Sequence, residues 1–137
     1  CAGDGKCGYT TRPELAYAYA RMLTESKHNG QIYNLHGEPI TQQQLANYLN
    51  EAFGTNLKYR VMSVAEYRKE RIAELGEFIG NVIAGIYEGI RNGAADNESH
   101  FAVAAGRDHQ SWQEYFGDLD FQDKDDQHRW KERNDIQ

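Results

Sequence analysis

The chain has 137 residues, a formal net charge of −6 and an ordinary soluble composition, 39% hydrophobic and 26% charged. That length is enough for one domain with a real core. The negative charge gives no general attraction to nucleic-acid phosphates, and no apolar run approaches the roughly 20 residues that cross a bilayer. No signal-peptide pattern precedes the first element, so a cytoplasmic location is the expectation.

The chain opens with a glycine-rich entry, Gly3, Asp4, Gly5 and Lys6, and a β-like run over residues 8–11 follows. Thr11 and Glu14 have the spacing of a capping box, in which each side chain satisfies a free backbone N–H of the first helical turn. Pro13 fits there because first-turn N–H groups have no intrahelical partner. The apolar residues Leu15, Ala16, Tyr19, Met22 and Leu23 predict the buried face of this helix. Asn29 and Gly30 make a turn, and residues 31–35 read as a strand.

Thr41 and Gln44 predict a second capping box. The helix that follows presents Leu45, Leu49, Ala52 and Phe53 on one face and ends at Gly54. Alternation of Leu57, Tyr59 and Val61 with Lys58 and Arg60 predicts a strand with one buried face. Ser63 and Glu66 open a further helix, and Ser111 and Glu114 open a short last one through Trp112, Tyr115 and Phe116. Between them, residues 76–93 carry a helical apolar stripe of Phe78, Ile79, Val82, Ile83, Ile86, Tyr87 and Ile90, interrupted by glycines. Two readings compete for it: a core helix with glycines at close contacts, or a mobile wall over an apolar pocket. Asp96 to Ser99 is a loop, and His100, Phe101, Ala102 and Val103 are ambiguous. Residues 120–137 are very polar and are expected to form a weakly ordered tail or a solvent-facing helix. The chain begins at Cys1 and enters structured sequence almost at once, which leads to the expectation of a fragment. Cys1 and Cys7 are read as free thiols, since two cysteines make no disulfide framework.

The order of these pieces carries a resemblance. Gly3, Asp4, Gly5 and Lys6, then Thr11 and Arg12 opening an Ala-rich helix, then Gly30 to Gly37 with Ile32, Tyr33, Asn34 and Leu35, resemble the NmrA-like branch of atypical short-chain dehydrogenase/reductases. Within it the NAD(P)H:quinone oxidoreductase type is nearest. The resemblance covers residues 2–70 well and 71–119 loosely. It implies an α/β fold, the C-terminal part of a Rossmann-type reductase, with helices and a few short strands. Residues 1–119 would be its substrate-side region. It also implies an absent N-terminal Rossmann domain as partner, NAD(P)H as the cofactor of the whole protein, and a quinone or similar planar acceptor. With its Rossmann partner absent, the chain is expected to be a homo-oligomer. The same branch includes dinucleotide-sensing regulators, so a non-catalytic binding module is the alternative.

The residues limit the chemistry. A Rossmann site needs glycines in a strand-to-helix turn so that backbone can approach the pyrophosphate. Gly3, Asp4, Gly5 and Lys6 do not make that pattern, nor a Walker loop, since Cys7 stands where magnesium needs Ser or Thr. No cofactor binding is therefore expected of this chain alone. His28, His36, His100, His109 and His128 show no metal-ligand spacing, and the acidic run from Asp118 to Asp126 lacks the glycine of a calcium loop. Tyr67 and Lys69 have the wrong spacing for the usual short-chain dehydrogenase pair. No catalytic residue is identified. Hydride transfer to a quinone needs mainly close stacking of nicotinamide and acceptor, so an aromatic pocket would serve. Its candidate substrate-binding residues are Arg12, Phe78, Tyr87, His100 and Phe101. For the aromatic ones ordinary core packing is the competing role; Arg12, next to the capping threonine, faces either the active cleft or an exposed carboxylate, with neither reading favoured.

Overall fold

The architecture comes from a computed structural model that describes residues 1–119. The tail expected over 120–137 lies outside them. Its helices are α1 (Arg12–Thr24), α2 (Gln42–Phe53), α3 (Val64–Leu75), α4 (Glu77–Arg91), α5 (Phe101–Ala105) and α6 (Trp112–Gly117).

Local side-chain chemistry starts four of these helices. Thr41 Oγ1 accepts the Gln44 N–H at 3.1 Å while Gln44 Oε1 accepts the Thr41 N–H at 2.9 Å. Ser63 with Glu66 and Ser111 with Glu114 close the same reciprocal box. Gly54 ends α2 in the left-handed conformation that costs a Cβ-bearing residue energy. At α1 the box is only half formed. Thr11 Oγ1 accepts the Glu14 N–H at 3.3 Å, but the Glu14 carboxylate turns away to an Arg107 guanidinium 2.9 Å distant.

That ion pair belongs to a face of α1 that differs from the expected one. Glu14 and Ala18 are buried, whereas Tyr19 is 51% and Leu23 87% exposed. The cause lies outside the helix: α5 packs on α1, and Phe101 and Ala105 close over Ala18, with Leu35 against the cluster. A small residue at 18 lets the two helices approach, and the longer apolar side chains point elsewhere.

The expected strands also differ. The only β-ladder among the described residues pairs β1 (Lys6–Cys7) with β2 (Ile40–Thr41), antiparallel, Lys6 opposite Thr41 and Cys7 opposite Ile40. Residues 8–11 and 31–35 form no strand and make single bonds instead of a ladder. Gly8 N–H reaches Ala95 O at 3.0 Å, Gly37 N–H reaches Tyr9 O at 2.9 Å, and His100 N–H reaches Asn34 O at 2.8 Å. At residues 57–61 a side chain replaces the partner strand. Asn50 accepts the Leu57 N–H at 2.6 Å and donates to the Leu57 carbonyl at 3.0 Å.

α3 and α4 form the tightest helix pair, joined at Gly76 with φ +84°. Gly80 makes it possible: a Cβ there would stand 2.5 Å from the Ile72 nitrogen of α3. α4 buries Gly80, Ala84 and Ile90, while Phe78, Ile79, Val82 and Ile86 are exposed. Part of the expected stripe is thus not core. At its far end α4 meets β1, where Gly5 touches the Ile90 backbone. α2 packs on α6, with the Tyr48 and Phe116 rings stacked 6.1 Å apart. Cys1 and Cys7 are free thiols. No helix among the described residues is long and apolar enough to cross a membrane.

Candidate functional site

Where the start of α1 faces α6, the two leave a cleft of about 440 Å³. Its floor is Ile40 and Trp112, its walls are Tyr9, Leu45, Tyr115 and Phe116, and Thr10, Thr11, Arg12 and Pro13 form one lip. A concave apolar site with a few polar groups at its edge is the usual form of a small-molecule pocket.

Long-range hydrogen bonds fix this shape. Trp112 Nε1–H donates to the Glu38 carbonyl at 2.8 Å, which locks the indole. The His109 ring lies 5.4 Å from Trp112 and 4.8 Å from Phe101, tying the cleft to the core. His109 Nδ1 is 2.7 Å from the Gln110 carbonyl, which only accepts, so Nδ1 carries the proton. Nε2 then accepts from the Thr10 hydroxyl at 3.1 Å. Two glycines make room for the imidazoles. A Cβ on Gly37 would stand 2.6 Å from the His109 ring, and one on Gly8 would stand 2.5 Å from the ring of His36.

Tyr9 sets the cleft's proton chemistry. Its ring meets Trp112 edge-on, and its hydroxyl accepts from the Gln42 side-chain amide in a very short contact. Burial pushes its pKa up to about 12, opposed in part by that hydrogen bond. A general acid or base works best with a pKa near the working pH, so Tyr9 shapes the cleft as a neutral phenol.

The sequence-level candidates fall in different places. Arg12, at the first position of α1, is exposed and lines the cleft. Phe101 is 1% exposed and belongs to the core. His100 caps α5, where its Nδ1 accepts the Asn34 N–H at 3.1 Å and its ring tilts against Tyr33. Tyr87 tilts against Tyr67 in the α3–α4 pair, and Phe78 stands 77% exposed on the outer side of α4. No hydrogen bond or ring contact among the described residues joins Phe78 and Tyr87 to His100 and Phe101. Sequence reasoning did not mark Tyr9, Ile40 or Trp112 as site residues. The available signal was three aromatics within five residues, Trp112, Tyr115 and Phe116.

These residues do not fit a dinucleotide. The Gly3 to Gly5 turn leads into β1 instead of a helix, and its Gly5 N–H is already bonded to the Ala2 carbonyl at 3.0 Å. No described helix starts from a glycine-rich turn after a strand. Among the described residues no group of three or more His, Cys, Asp or Glu could hold a metal ion.

Comparison with known proteins places this fold. No family model matches the chain. Over 67 residues, 48% of the chain, it is 39% identical to quinone oxidoreductase 2 of Escherichia coli, and the match spans 23% of that protein. An NADPH-dependent quinone oxidoreductase from Escherichia coli, solved with NADPH, superposes on 87% of the chain with a TM-score of 0.76 and 28% identity. Triphenylmethane reductase from Citrobacter superposes on 84% with a TM-score of 0.72 and 31% identity. A nucleoside-diphosphate-sugar epimerase from Staphylococcus aureus superposes on 85% with a TM-score of 0.74 and 27% identity. The chain spans about two-fifths of the length of each of these solved structures. The resemblance read from the sequence therefore holds in both sequence and fold: this chain is a relative of the NmrA-like reductases, and it matches one part of their length.

Proposed function

We propose that this chain is the substrate-side part of an NAD(P)H-dependent reductase, and that the cleft between α1 and α6 receives a planar acceptor such as a quinone. The observation that carries this reading is the 39% identity to a quinone oxidoreductase, joined to a superposition over 87% of the chain on an NADPH-dependent enzyme of that kind. The aromatic lining of Tyr9, Trp112, Tyr115 and Phe116 suits a flat, apolar ring. In this reading the cofactor belongs to a Rossmann part that precedes the chain, and the nicotinamide supplies the hydride. This chain's residues then do three things. They hold the acceptor's face, exclude water with the Ile40 and Trp112 floor, and keep a neutral phenol at Tyr9 beside it.

The test uses two proteins. The chain alone is titrated into NADPH while nicotinamide fluorescence is followed, and no saturable binding in the low micromolar range is expected. The Rossmann part of the Escherichia coli enzyme is then joined to the chain, and NADPH oxidation is measured with a quinone. Saturable binding by the chain alone sinks the idea that the cofactor site is elsewhere. A joined protein that folds and binds NADPH but reduces no quinone sinks the acceptor reading and favours a nucleotide-sensing module.

A further inference from the structure

We propose that the ligand of the α1–α6 cleft is a planar ring bearing one ionised oxygen group, a carboxylate or an enolate, and that Arg12 reads that charge. The proposal rests on the acceptor reading above and adds the charge of the ligand to it.

Three observations carry it. First, Arg12 has no partner of its own among the described residues. Arg21, Arg60, Arg68, Arg71 and Arg107 each pair with a glutamate, and Arg91 donates to the Cys1 carbonyl at 3.1 Å. Arg12 makes no ion pair or side-chain hydrogen bond among the described residues.

Second, among the described residues no acidic group lines the cleft to oppose it. Around the cavity the remaining side chains are apolar, aromatic or hydroxyl-bearing. Glu14, the one acid in the first turn of α1, is turned inward to Arg107. Tyr9 stays neutral at physiological pH, so it adds no negative charge.

Third, the same lip presents helix polarity. The 13-residue α1 begins there, with roughly half a positive charge at its N-terminus. Pro13 has no N–H, and the Glu14 N–H is taken by Thr11. Among the described residues the Arg12 N–H has no hydrogen-bond acceptor. Guanidinium and backbone N–H therefore sit on one lip of an apolar slot. That is the arrangement for an aromatic body with an anionic edge, since charge-assisted bonds to Arg are about twice as strong as neutral ones.

The experiment uses the intact chain and calorimetric titration at low salt with two probes of one shape, 2-naphthoate and the neutral 2-naphthamide. 2-Hydroxy-1,4-naphthoquinone, ionised at neutral pH, then separates an enolate ligand from a carboxylate one. The anion is expected to bind at least tenfold more tightly than the amide. Arg12→Gln should abolish that ratio by weakening the anion far more than the amide, and Arg12→Lys should restore part of it. Arg12 is exposed and unbonded, so these variants should keep the parent circular dichroism. Equal binding of acid and amide overturns the charge preference and leaves the planar-ligand cleft standing. A ratio that survives Arg12→Gln removes Arg12 from the role. Binding of neither probe overturns this inference and the cleft with it, while the NADPH-oxidation assay still judges the reductase reading separately.

Discussion

Two glycines of α4, only five residues apart, should respond to the same substitution with opposite signs. Within a helix, Gly→Ala gains about 0.5–1 kcal/mol from backbone entropy. At Gly85 a new Cβ meets nothing within 4 Å, so that gain should appear undiminished. At Gly80 the new Cβ would stand 2.5 Å from the Ile72 nitrogen, 2.6 Å from its Cα and 2.7 Å from the Arg71 carbonyl carbon. All three are backbone atoms of α3, and no side chain can swing aside. Overpacking of this kind costs about 1–3 kcal/mol, so Gly80→Ala should lose about 1–2 kcal/mol net of its propensity gain. Far-UV circular dichroism during heating reads both. For a domain near this size about 4 °C corresponds to each kcal/mol. The Gly85 variant should melt a few degrees above the parent and the Gly80 variant several degrees below it. A Gly80→Ala protein as stable as the parent would refute the close packing of α3 on α4 at this point.

Thr41→Ala removes the hydroxyl that accepts the Gln44 N–H, one of the two bonds of a reciprocal cap, and should cost about 0.5–2 kcal/mol in urea melts; an unchanged midpoint would place the start of α2 elsewhere. Arg107→Met leaves the Glu14 carboxylate, 6% exposed, without its cation, at a cost of about 1–3 kcal/mol for the stranded group. Adding Glu14→Gln should recover part of that loss, and an additive double variant would show that the pair does not interact. Ser63 and Ser111 hold Glu66 and Glu114 below the ordinary carboxylate value of 4.5 through side-chain and backbone hydrogen bonds. A lowered folded value means the contribution is present above 4.5 and is lost as pH falls through that lowered value. Glu66→Gln with Glu114→Gln should therefore flatten the acid limb of the stability curve, and an unaltered limb contradicts the linkage. Tyr19, Leu23 and Ile32, exposed at 51%, 87% and 92%, should draw the isolated chain into dimers or larger species. Sedimentation of a compact monomer at micromolar concentration would count against this.

What was legible in the sequence was what is decided within four residues. The Thr41, Ser63 and Ser111 caps form as read because donor and acceptor belong to one helical turn. The Thr11 cap was half legible, since Glu14 had a stronger partner, Arg107, far along the chain. The face of α1 was misread for the same reason: Ala18 is buried by Phe101 and Ala105, and nothing near Ala18 announces them. The alternation at residues 57–61 was real in part, with Leu57 and Tyr59 half-buried, but a ladder needs a second strand and Asn50 took its place. Arg12 was marked as a site candidate by its place next to the capping threonine, and it does line the cleft. The cleft itself was not legible, because its lining comes from residues 9–13, 40–45 and 112–116, which only the folded chain brings together.

The two histidine rings seated against Gly8 and Gly37 constrain how this sequence can change. A side chain at position 8 competes with His36 for one volume, and a side chain at position 37 competes with His109 for another. His36 also donates to the Gly37 carbonyl at 2.8 Å, so the two occupancies are linked through a single peptide. A side chain at position 8 or 37 is therefore excluded unless the ring at its mate gives way. Across diverged copies of this gene, positions 8 and 36 should change together, as should 37 and 109, and a randomised library should return viable doubles where the corresponding singles are missing.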